Sequence, residues 1–123
     1  MNFTKDIILP LFILLILDSI YLYIHKQTYL LQIASIQRVS IQPRYLGAII
    51  CYALLIFGLY YFILKHHRSV FDAFLLGIVI YGVFDSTNYA IFKKWEPRVA
   101  VIDTLWGGLL FGLTTYITYR FTK

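Results

Sequence analysis

The sequence predicts an all-α integral membrane protein of four transmembrane helices, with an interfacial amphipathic segment between helices one and two. Its 123 residues are 60% hydrophobic and only 14% charged. A soluble domain of this size has too much surface for its volume to hide that much apolar area. The apolar residues fall into four runs, 7–24, 45–64, 70–92 and 99–120. Each run is near the roughly 20 residues that cross about 30 Å of hydrocarbon.

The four runs are predicted to be helices because lipid offers the backbone no hydrogen bonds, and a helix satisfies its own. Their continuity does not fit the alternating pattern of a membrane β-barrel. We therefore treat residues 1–123 as a single membrane domain whose first partner is the lipid bilayer.

The first run is followed by a segment that is too polar to span. Within the first run, Pro10 falls in the first turn of the predicted transmembrane helix, where a missing N–H costs little. In residues 27–42 the polar side chains recur at helical spacing and Leu or Ile fill the other faces. This pattern favours a helix in the headgroup plane, with an ordinary loop as the alternative. Pro43 then breaks the segment before the second run.

The third and fourth runs meet across a short basic turn, residues 93–98. The third run carries Asp85 and Asn88 three positions apart, so both lie on one helical face. The fourth carries Asp103 and Trp106 at the same spacing, followed by Gly107. Gly107, Gly108 and Gly112 are the candidates for helix packing, and Gly108 and Gly112 form a GxxxG pair that permits close helix contact, within the chain or between copies.

Helical rise places the acidic residues of separate runs in one layer. Four spans put both termini and the turn at 65–68 on one side, called side A, and the turn at 93–98 on side B. At 1.5 Å per residue, Asp18, Asp85 and Asp103 lie roughly 6–10 Å below side B. We predict a cavity that opens to side B. Its binding candidates are Asp18, Asp85, Asn88, Asp103, Tyr52 and Trp106. Its mouth residues are Arg44, Lys93, Lys94, Trp95 and Arg98.

Buried carboxylates predict polar chemistry inside the membrane, because an ionised carboxylate in hydrocarbon is costly without a partner. Three such groups at close range cannot all stay ionised, so either one holds a proton or a cation lies among them. The leading hypothesis is binding or translocation of protons, cations or a polar headgroup. A lipid-modifying enzyme or its membrane subunit is the second hypothesis, since paired carboxyl groups can serve acid–base chemistry. The third is a structural polar clamp in a homo-oligomer or larger membrane assembly.

Other functional classes are not supported by the residue pattern. His25 lies on side B, whereas His66 and His67 lie on side A, so no histidine cluster is predicted for zinc. No P-loop, dinucleotide motif or Ser-His-Asp arrangement occurs, so no cofactor or catalytic residue is assigned and the balance is against an enzyme. The net charge is +5, and the basic residues lie in the turns and at the ends of the predicted helices. Such residues are typical of membrane-interface anchors and not of a nucleic-acid partner.

Orientation is not indicated by charge, because the basic residues divide almost evenly between the two sides. Side A holds Lys5, Lys65, Arg68, Arg120 and Lys123. Side B holds Lys26, Arg38, Arg44, Lys93, Lys94 and Arg98.

One set of motifs resembles a known family. The residues are Asp85-Ser86-Thr87-Asn88, then Trp95, then Asp103-Thr104-Leu105-Trp106-Gly107, together with Asp18 and an aromatic residue three positions on. They resemble the uncharacterised membrane-protein family catalogued as domain of unknown function 2177, over nearly the whole chain. That family often has Trp where this chain has Tyr21. The resemblance implies a four-helix integral membrane protein and supports the choice of residues, and it implies no activity, substrate or cofactor.

Overall fold

Four long helices make up most of the computed structural model. The described residues are 3–28, 45–93 and 95–122. The helices are α1 (Thr4–Ile24), α2 (Tyr45–Leu64), α3 (Val70–Ile91) and α4 (Pro97–Thr122), and each is long and apolar enough to cross a membrane. The described residues include no strand, so the predicted all-α fold with four spanning helices is confirmed. The predicted interfacial segment lies outside the described residues from residue 29 onward.

The fourth helix is the central one. Of its spanning window 44% is buried, against 17–22% for the other three helices. α3 packs along α4 as its antiparallel neighbour, α1 also packs on α4, and the start of α1 meets the end of α2. The buried core consists of Leu14, Leu55, Ile56, Leu59, Ile63, Leu64, Ala73, Leu110 and Phe111. Most of this core lies nearer side A, which leaves the side-B half to the polar residues.

The outward faces of the helices suit a lipid environment. Phe12 on α1, for example, is 60% exposed, and many other large apolar side chains share this exposure, which water would not favour. At the helix ends, the Lys26 ammonium lies 5.3 Å from the Tyr23 ring centre, and the Lys65 ammonium lies 4.9 Å from that of Tyr61. Such Lys–Tyr pairs are typical of the two membrane–water interfaces.

Pro10 lies one turn deeper in α1 than the sequence predicted. The helix already begins at Thr4, and residues Thr4–Ile8 form a π-helical turn in which the Leu9 N–H donates to the Thr4 carbonyl. A proline ring inside a helix collides with the carbonyl four residues earlier, here that of Asp6. The wider π turn accommodates the ring, and Pro10 is fully buried without breaking the span.

The turn between α2 and α3 is closed by backbone hydrogen bonds. The Arg68 N–H donates to the Ile63 carbonyl at 2.9 Å, and the His67 N–H donates to the Leu64 carbonyl at 3.1 Å. This is the pattern of a Schellman motif, whose penultimate residue takes a left-handed conformation. His67 has φ 51°. The Tyr119 hydroxyl donates to the Arg68 carbonyl at 2.6 Å and so ties the end of α4 to this turn.

Replacing His67 with glycine is expected to leave the free energy of unfolding unchanged or to raise it by up to about 1 kcal/mol, because glycine adopts this φ without a steric cost. His67→Val is expected to lower it by about 1–3 kcal/mol, because a β-branched residue is strained there. Unfolding by SDS in mixed micelles, followed by circular dichroism, measures both. Equal free energies for the two variants would show that the φ of residue 67 does not limit stability.

Candidate functional site

Three buried aspartates lie inside the spanning helices α1, α3 and α4. Their exposed fractions are 6% for Asp18, 1% for Asp85 and 7% for Asp103. Each lies six residues from the side-B end of its helix, which is about 9 Å by helical rise. The three helices therefore bring their acids to the same depth, and the partners of each carboxyl group define the site.

Asp18 receives hydrogen bonds from two other helices. The Tyr52 hydroxyl of α2 donates to Oδ2 of Asp18, and the Trp106 indole Nε1 of α4 donates to Oδ1 at 3.0 Å. Tyr21, one turn along α1, stacks on Trp106 with ring centroids 4.7 Å apart and an interplanar angle of 2°. We call Asp18, Tyr52 and Trp106 the Asp18 clamp, because this carboxylate joins three helices.

Asp85 and Asp103 form a second centre, the carboxyl pair, between α3 and α4. Their side chains lie within hydrogen-bonding reach of each other. The Thr104 hydroxyl donates to Asp85 Oδ2 at 3.4 Å, while Asp85 Oδ1 is buried without a hydrogen-bond partner among the described residues. Two carboxyl groups in contact at low dielectric cannot both stay ionised. The arrangement therefore suits one proton held between them.

Tyr81 of α3 lies near both centres. Its phenol lies within electrostatic range of Asp18, Asp103 and Tyr52. Tyr81 was not among the predicted site residues, because its side chain is neither a carboxyl group nor an amide. The spacing from Tyr81 to Asp85 is four residues, which places both on one helical face and could have identified it.

The structure divides the predicted cavity residues between these two centres. It brings Asp18, Tyr52 and Trp106 together in one, and Asp85 and Asp103 in the other. Within the described ranges, no three His, Cys, Asp or Glu side chains come close enough to hold a metal ion. Asn88 is half-buried one turn beyond Asp85, and its backbone carbonyl accepts the Phe92 N–H at the end of α3.

Two recesses approach the centres from the side-B half. One, of about 430 Å³, runs between α3 and α4 and has Asp85 in its wall. Its other lining residues are Gly82, Ser86, Tyr89, Pro97, Ala100, Val101, Thr104 and Leu105. The second, of about 250 Å³, is lined by Tyr21 and Arg98 among others. Because Tyr21 stacks on Trp106, this second recess ends beside the Asp18 clamp.

The predicted mouth residues take different positions. Lys93 and Arg98 are exposed, and only Arg98 of these two lines one of the two recesses just described. Trp95 is 7% exposed, and its ring packs against the rings of two phenylalanines, Phe84 and Phe92. Trp95 thus covers the side-B end of α3. Arg44 and Lys94 lie outside the described residues.

Close approach of α3 and α4 positions the carboxyl pair. A Cβ on Gly77 would overlap the Gly107 carbonyl, and a Cβ on Gly107 would overlap the Tyr81 side chain. A Cβ on Gly108 would lie 2.8 Å from side-chain atoms of α3, whereas one on Gly112 would have only ordinary contacts at 3.7 Å. The tightest crossing is therefore between Gly77 and Gly107–Gly108, and Gly112 does not require the absence of a side chain.

Comparison with known proteins gives one match. The family model DUF2177, described as a predicted membrane protein, matches residues 3–120. This range includes α1, α2 and α3, all of α4 except its last two residues, and every residue of the two centres. No curated protein and no solved structure matches the chain.

Proposed function

This integral, multi-pass membrane protein belongs to the DUF2177 family, and on that premise we propose that it binds and transfers protons at the carboxyl pair. The observation that carries the proposal is the contact of two buried carboxyl groups, Asp85 and Asp103, inside the spanning region. Such a pair holds a proton in common because ionising both groups in low dielectric is too costly.

A proton suits this donor set better than a metal cation does. Calcium takes six to eight oxygen ligands, and magnesium demands near-octahedral geometry. The pair offers two carboxyl groups and the Thr104 hydroxyl. Within the described residues, no third acidic group, histidine or cysteine joins them.

The surroundings of the pair offer a route for proton exchange. Asp85 lines the recess between α3 and α4, so this recess is the approach to the pair from the side-B half. On the inner side, Tyr81 lies near Asp103 and Asp18. A tyrosine hydroxyl both donates and accepts hydrogen bonds, so Tyr81 is the residue that we propose for exchange between the pair and the Asp18 clamp.

Removing either carboxyl group is expected to abolish proton transfer, because an amide cannot exchange the shared proton. Asp85→Asn and Asp103→Asn should reduce proton flux in reconstituted vesicles, driven by a potassium diffusion potential, to the level of protein-free vesicles. Asp72→Asn is the matched control, since Asp72 lies on the same helix α3 in its first turn at side A. Wild-type flux in both pair variants would instead assign the pair a structural role.

Lipid binding is the second candidate function, favoured by the character of the recess between α3 and α4. Most of its wall is apolar, and the Asp85 carboxyl group and the Thr104 hydroxyl lie in it. A lipid whose headgroup donates hydrogen bonds would match this combination. Lipids that copurify with the wild type and are lost in Asp85→Asn would support it. A lipid profile that changes on expression, and reverts with Asp103→Asn, would extend it to lipid modification.

A further inference from the structure

A third recess lies at the opposite end of the bundle, on side A. It has a volume of about 170 Å³ and lies where the start of α1, the turn after α2 and the end of α4 meet. Its polar wall includes Lys5, Asp6, His67, Thr118 and Thr122. The recess therefore combines charged groups with hydroxyl groups at a membrane–water interface.

Three threonines continue from this recess into α4. Thr118 is 3% exposed and lines the recess, and Thr114 and Thr115, about one turn deeper, are fully buried. None of the three hydroxyls has a hydrogen-bond partner among the described residues. Thr122, by contrast, donates to the Thr118 carbonyl at 2.8 Å, as threonines in helices commonly do.

Water is the ligand that these hydroxyls fit. A buried hydroxyl left without a partner costs about 1–3 kcal/mol. Buried polar groups that lack a protein partner are usually satisfied by ordered water, which needs only about 10–15 Å³ and two to four polar partners. The recess exceeds that volume. From Thr118, which lines the recess, to Thr114 is four residues, about 6 Å along the helix, so two or three waters in line from Thr118 would be needed to satisfy all three hydroxyls.

An apolar layer separates these threonines from the side-B centres. Leu14, Leu59, Leu110 and Phe111 are all fully buried. Thr114 and Trp106 are eight residues apart on α4, about 12 Å. Polar groups thus enter the bundle from both membrane sides and stop at a thin hydrocarbon barrier. This arrangement is typical of conduction paths that a hydrophobic constriction gates.

We propose that the side-A recess and the buried threonines Thr118, Thr115 and Thr114 form a water-filled access path toward the Asp18 clamp. The path provides the second aqueous entry that transfer across the membrane requires. What the waters carry rests on the proposed proton function, whereas their presence does not. Hydration and proton flux can therefore be tested separately.

Cysteine accessibility tests the path directly. Thr118→Cys and Thr115→Cys, in a Cys51→Ala background, are expected to react with a small cationic methanethiosulfonate at least about tenfold faster than Leu113→Cys, because the reactive thiolate forms only in water. Leu113 is the matched control for Thr115, since it lies two residues away, about 3 Å along α4, and is 41% exposed. Leu110→Cys, in the apolar layer, is expected to be as slow as Leu113→Cys.

The outcomes separate the two proposals. Thr115→Cys reacting no faster than Leu113→Cys overturns the path, whatever the proton flux. Fast labelling with no flux in the wild type supports the path and rejects proton transfer. Where a cysteine variant fails to fold, water-edited solid-state NMR of the unmodified protein serves instead. It is expected to show early water transfer to Thr114 and Thr118, and transfer no earlier than to Leu113 would overturn the path.

Discussion

Gly77→Ala is expected to lower the free energy of unfolding by about 2–3 kcal/mol, near the top of the range for overpacked positions. The added methyl group would overlap the backbone carbonyl of Gly107, which no side-chain rotation can move away. α3 must then shift away from α4. Because Asp85 and Asp103 meet across this helix pair, proton flux is expected to fall as well. SDS titration in mixed micelles and the vesicle assay measure the two effects.

The matched control is the same substitution where there is room. No atom lies within 4 Å of a Cβ built on Gly58, so Gly58→Ala is expected to raise the free energy of unfolding by up to about 1 kcal/mol through helix propensity alone. Gly82→Ala on α3 meets only the Thr104 methyl group at 3.5 Å, and we expect it to be near neutral. A Gly77→Ala variant as stable as Gly82→Ala would contradict the close crossing.

Asp18→Ala is expected to lower the free energy of unfolding by about 2–4 kcal/mol. It removes the acceptor of two interhelical hydrogen bonds, each worth about 1–2 kcal/mol in a membrane, and it leaves the half-buried Tyr52 and Trp106 donors without this acceptor. Tyr52→Phe keeps the ring and removes one hydroxyl, so its expected cost is about 1 kcal/mol. SDS titration of both variants gives the comparison.

A double-mutant cycle isolates the clamp from general effects of the substitutions. Combining Asp18→Ala with Tyr52→Phe should cost less than the sum of the two single changes, because the shared hydrogen bond is lost only once. Tyr61→Phe on the exposed face of α2 is the matched control, and its effect should add to that of Asp18→Ala. Strict additivity in the first pair would mean that Asp18 and Tyr52 are not coupled.

The span count and the depth of the acids could be predicted from the sequence because both depend on local, one-dimensional quantities. Hydropathy over about 20 residues identifies a span, and a fixed rise per residue then gives the depth of Asp18, Asp85 or Asp103. None of these predictions depends on which helices are neighbours.

Which helices pack against each other could not be predicted from hydropathy and helical rise. Depth alone cannot tell that Trp106 donates to Asp18 while Asp103 meets Asp85. Tyr81 lies one turn deeper than Asp85 and carries no charge, so neither depth nor hydropathy selected it. The buried threonines were not predicted either. A hydropathy scale gives a hydroxyl group little weight, and the cost of burying it depends on whether the surrounding structure offers a hydrogen-bond partner.

The glycines illustrate the difference between what the sequence predicts and what the tertiary structure decides. A GxxxG spacing identifies Gly108 and Gly112 as candidates for close contact, yet the crossing uses Gly77 against Gly107 and Gly108. Membrane insertion and depth follow from the chain's own hydrophobicity, because the bilayer acts on each segment separately. How each helix is rotated about its axis, and which helix lies beside it, follow from packing between distant segments, because only complementary surfaces let two helices approach. The contacts between helices therefore bring the carboxyl groups together, and hydrophobicity alone does not.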